Sequence, residues 1–136
     1  MMNNELVAID LDDQERELMC LALNEYAGTA KYAYQLLSPV FGQSTKNEWV
    51  QLINRLMDAI RNKQPLSALD WARAVFLTEI SFASDLVGSG WDFGPSADDY
   101  WFKVLRSLQY KVRRYTRFTL LRDNASYPPV LPDSDG

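Results

Sequence analysis

Glu79 is the residue of this chain whose type and position could do chemistry. It stands within "ALDWARAVFLTEISFASDLV", residues 68–87, the most apolar segment of the sequence. Projected at about 100° per residue, Asp70, Arg73, Thr78, Ser81, Ser84 and Asp85 share one narrow arc, and Glu79 falls opposite it, among Ala72, Val75, Ala83 and Leu86. A carboxylate on an apolar face protonates, finds a cation, or is put to use. Three readings follow: a buried charge pair with an arginine such as Arg106 or hydrogen bonds to a tyrosine hydroxyl; a carboxylate lining an interior pocket between the central and final helices, with a raised pKa; or a Glu79 exposed at a bend in the helix.

Other routes to catalysis are narrow. The chain has no histidine, which removes Ser-His-Asp, Cys-His and HExxH chemistry together. Its one cysteine, Cys20, excludes an intramolecular disulfide, a CxxC motif and a cysteine-based zinc site. Asp85, Asp92, Asp98 and Asp99 flank a glycine-rich stretch, but their spacing is not that of an EF-hand loop, and helix capping accounts for the last two. "GSGWDFG" places its third glycine one position late for GxGxxG and follows no strand. No catalytic residue, metal or cofactor is therefore expected.

The elements that would position Glu79 are helical, because start and stop signals recur while alternating strand patterns do not. Asp12 with Glu15 reads as a capping box, preceded by Leu11 and followed by the stripe Leu18, Met19, Ala22, Leu23 and Tyr26, with Gly28 as the stop. A short helix is expected over residues 29–37, before Pro39 and Gly42. Thr45 with Glu48 forms a second box, ahead of Trp49, Ile53, Leu56, Met57 and Ile60, and Pro65 ends that helix. Ser67 caps the apolar segment, and Ser96 caps a long final helix with the stripe Trp101, Val104, Leu105, Leu108, Val112 and Tyr115. The expected architecture is all-α: one domain over residues 1–122, a bundle of four to five helices, with residues 123–136, rich in proline, as a disordered tail.

The net charge of −4 conceals an asymmetry. Residues 1–100 carry fifteen acids and seven bases, residues 101–122 carry seven bases and no acid, and the tail adds three acids. A basic face beside Tyr110 suits phosphate, but the acidic whole, with a pI near 4.8, disfavours nucleic acid. Pairing of this basic segment with the acidic first helix, or binding of an acidic protein partner, fits better.

The leading expectation is a noncatalytic protein-binding module, most concretely an immunity or antitoxin-type protein that neutralises a partner toxin by occlusion. Its binding surface would comprise Asp10, Asp12, Asp13, Glu15 and Glu17, with Trp91, Asp92 and Phe93 of the loop "GSGWDFG". The alternatives are a small-ligand receptor or carboxylate-dependent enzyme built on Glu79, and a homo-oligomeric scaffold. No run is long enough for a membrane helix, and residues 1–17 hold no basic stretch leading into an apolar one. A cytoplasmic location is expected.

Overall fold

A computed structural model describes residues 5–28, 30–84 and 95–126. The fold is all-α, a small helical bundle. The helices are α1 (Asp13–Asn24), α2 (Tyr34–Leu37), α3 (Lys46–Arg61), α4 (Ala68–Ala83), α5 (Pro95–Val112) and α6 (Phe118–Asp123). Two short strands, β1 (Leu6–Val7) and β2 (Leu66–Ser67), pair antiparallel, with Leu6 opposite Ser67 and Val7 opposite Leu66. The Trp71 indole donates to the Val7 carbonyl at 2.8 Å, so the chain ahead of α1 is pinned to the start of α4.

Local signals set the helix starts. The Asp12 carboxylate accepts from the Glu15 amide at 2.7 Å, and Glu15 accepts from the Asp12 amide at 2.8 Å, a complete capping box. Thr45 accepts from the Glu48 amide, but the Glu48 carboxylate reaches Ser44 rather than Thr45, so only half of the second box forms. Ser67 accepts from the Asp70 amide at 3.1 Å. The apolar stripes that follow are the core: Leu18, Met19, Ala22 and Leu23 on α1, Trp49, Ile53, Leu56 and Ile60 on α3, and Trp101, Leu105, Leu108 and Val112 on α5. α1 packs against α3, α4 and α5, which makes it the central helix. No helix among the described residues is long and apolar enough to cross a membrane.

Three expected elements come out differently. The helix over residues 29–37 shrinks to Tyr34–Leu37 behind a series of turns, with no side chain capping its start. So short a segment gains too few bonds to offset nucleation. α4 ends at Ala83, where Ser84 turns extended. The single long final helix breaks at Val112, whose carbonyl takes the Tyr115 and Thr116 amides and the Thr116 hydroxyl. A threonine that spends its hydroxyl on the preceding turn, beside the crowded cations Arg113, Arg114 and Arg117, favours that break.

Beyond the break, α6 folds back onto α4. Its end is seated on the loop after α2: Ser126 donates to the Pro39 carbonyl at 2.8 Å, and Gly42 (φ +73°) lies directly under the Asn124 carbonyl. A Cβ at Gly42 would collide with that oxygen and crowd the Arg73 guanidinium at 3.2 Å. Gly42→Ala should therefore cost about 2 kcal/mol from backbone strain and contact and loosen α6. Trypsin cleavage after Arg117 and Arg122 should accelerate, and unchanged digestion would show that the seat is unimportant. The remainder of the tail, 127–136, lies outside the described residues.

Candidate functional site

The buried face of α4 is wider than expected: Ala72 and Val75 are buried, as expected, but burial extends around the helix to its small and polar residues. Ala74, Thr78 and Ser81 are buried, as is Asp70, and the Thr78 hydroxyl is satisfied by the Ala74 carbonyl at 2.8 Å. Glu79 consequently sits at an edge of the core, half-buried, facing α5 and α6. The expected buried pair with Arg106 is absent. Arg106 is exposed and donates to the Gln109 Oε1 at 3.1 Å, while Gln109 Nε2 donates to Glu79 Oε2 at 2.6 Å, so an amide stands between the two charges.

Glu79 does line a cavity of about 650 Å³ between α4, α5 and α6. The floor is apolar: Val40, Ala72, Val75, Phe76, Val112 and Leu121. Gln109 and Thr116 add polar atoms to the wall, and four arginines, Arg106, Arg113, Arg117 and Arg122, stand around it. The α4 lining residues 72, 75, 76 and 79 make one stripe, about 10 Å long at 1.5 Å rise per residue. A cleft of this volume is within the range of small-molecule sites.

Aromatic rings border the arginines. The Arg106 guanidinium lies 5.4 Å from the Phe102 ring centroid, Arg113 4.5 Å from Tyr110, and Arg122 5.9 Å from Phe118. Phe118 is 73% exposed and Tyr110 67%. Arg122 also pairs with Asp123 at 2.9 Å, whereas Arg113 and Arg117 have no carboxylate partner among the described residues. The chain matches no protein-family model, and neither curated proteins nor solved structures yield a significant match.

Of the expected acidic surface, Asp10, Asp12, Asp13 and Glu17 are exposed, with Arg16 only 3.5 Å from Asp13. Glu15 must be withdrawn from that surface, because its side chain is fully buried. It receives Lys111 Nζ at 2.7 Å and the Ser107 hydroxyl at 2.5 Å, and so ties α1 to α5. Its position was readable: residue 15 is in register with 18, 19, 22 and 23, the apolar stripe. A second cluster joins the buried Asp70 to the exposed Arg55 at 2.5 Å and to the enclosed Arg73 at 3.0 Å. Trp91, Asp92 and Phe93 lie outside the described residues, as does Asp85; Ser96, expected to cap the final helix, falls inside α5, which already begins at Pro95.

Proposed function

We propose that the protein is a noncatalytic binding module that docks an acidic partner protein on the α5–α6 face. The observation that carries this reading is the set of three arginine–aromatic pairs along the cavity. Arginine and aromatic side chains are the types enriched at binding hot spots, where a flat ring and a planar cation cover area at little entropic cost. An apolar floor beneath them offers a seat for an anchoring side chain. Neutralisation of a partner by occlusion remains the concrete form of this activity.

A second reading rests on the exposed carboxylates Asp10, Asp12, Asp13 and Glu17, which suit a basic partner such as a toxin that handles nucleic acid. One experiment separates the two. Tagged protein should recover a partner in stoichiometric amount from the native host; Arg113→Glu with Arg117→Glu should abolish recovery, while Asp10→Lys with Glu17→Lys should spare it. The opposite pattern would transfer the function to the acidic edge, and no stoichiometric partner would overturn both. Light scattering of the pure protein addresses the scaffold alternative: a dimer dissolved by Phe118→Asp would make the partner a second copy.

A further inference from the structure

We propose that the cavity between α4, α5 and α6 is a site for a free medium-chain carboxylate. The chain would lie along the α4 stripe from Ala72 to Glu79, and the head group at Arg113 and Arg117. This assignment does not rest on the protein-partner reading.

Shape and charge argue for such an amphipathic anion. The floor supplies apolar walls from three helices, Val75, Val112 and Leu121 among them, and an apolar chain displaces water from these at a gain proportional to the area covered. A neutral hydrocarbon would leave Arg113 with only the Tyr110 ring and Arg117 without an anionic partner among the described residues. Arg113 and Arg117, four residues apart where the chain leaves α5, have no carboxylate partner among the described residues. A planar guanidinium matches a carboxylate in a two-point hydrogen bond.

Glu79 sets the direction of the guest. Gln109 holds one of its oxygens at 2.6 Å, and the other takes no hydrogen bond among the described residues. Gln109 precedes Arg113 by four residues, about 6 Å along a helix. An anionic head at the Glu79 end would meet a like charge, so the head lies toward Arg113 and Arg117 and the methyl end toward Glu79. Arg106, engaged with Gln109 and Phe102, belongs to that far end and contributes little to the head group.

Calorimetric titration of the intact protein with decanoate, decanol and decyl phosphate, each below its aggregation threshold, tests this. Decanoate should bind once per chain and about a hundredfold more tightly than decanol, the size of two charge-assisted contacts of about tenfold each. Each methylene removed should weaken it about fourfold. Arg113→Ala and Arg117→Ala, at exposed positions that spare the fold, should each weaken decanoate about tenfold and leave decanol unchanged. Glu79→Gln should keep decanoate or tighten it. Leu121→Trp, which narrows the cavity at its apolar wall, should weaken both ligands while circular dichroism stays native.

Equal affinity for decanoate and decanol would overturn the proposal, as would arginine variants that bind like the parent. Decyl phosphate binding more tightly than decanoate would overturn the head-group assignment. Co-sedimentation with anionic vesicles without decanoate binding would replace the free carboxylate with a membrane surface. Partner capture enters none of these readouts, so either reading can fail while the other stands.

Discussion

Asp70→Asn should lower the midpoint of thermal unfolding by about 10 °C at neutral pH, equivalent to about 3 kcal/mol for a chain of this length. Arg73 sets the size of the effect. Its side chain is 12% exposed, its Nε is buried without a hydrogen-bond partner, and Asp70 provides its one ion pair among the described residues. An asparagine keeps the shape but leaves that guanidinium's charge uncompensated. Arg55, at 53% exposure, stays hydrated and adds less.

The same substitution changes the acid limb of stability. Burial pushes the Asp70 carboxyl upward, but hydrogen bonds and charge from Arg55, and then from Arg73, more than reverse this and hold it below the ordinary carboxylate range. A carboxyl whose folded pKa is depressed contributes stability that is complete above its unfolded value, about 3.9. That contribution is lost as the pH falls through the folded value. Melts by circular dichroism from about pH 7 to about pH 3 should therefore show the gap between parent and variant narrowing toward the acid end. Parallel curves would show that Asp70 contributes nothing through its charge.

Lys111→Met is the second large effect, about 2–3 kcal/mol by denaturant titration. It strips the cation from a carboxylate that has no access to water, leaving Glu15 with the Ser107 hydroxyl and the Asp12 amide. Lys111 itself is 36% exposed, which keeps the figure below that of a fully enclosed pair. Combining Lys111→Met with Glu15→Gln should recover much of the loss, since the double variant buries no net charge. Strictly additive losses would show that the two groups act independently.

Much of the bundle was legible in the sequence because its signals are local. Asp12, Thr45 and Ser67 announce helix starts through hydrogen bonds to amides three residues on, and the stripes of α1, α3 and α5 need only a helical period. α4 escaped that logic. A helical wheel ranks faces by polarity, but a threonine whose hydroxyl bonds to its own helix is buried at little cost, and small residues at 74, 78 and 81 admit a close neighbour. Once that face turns inward, Glu79 is carried to the rim. The groove itself was illegible, because it exists only where α6 doubles back, and the break at Val112 depends on one threonine and its charged neighbours. The burial of Glu15 is masked for another reason: its capping role already accounts for a glutamate at that position, and its second role comes from a lysine 96 residues away.

That separation has a consequence for biosynthesis. At the ordinary pace of about 5–20 residues per second, α1 emerges from the ribosome roughly 5–20 s before the lysine that will neutralise its carboxylate. Until α5 is made, the face of α1 that carries Glu15 lacks both of its distant partners, Ser107 and Lys111, and stays in water. Glu15 and Lys111 therefore leave the water together, as a pair, when α5 docks on α1.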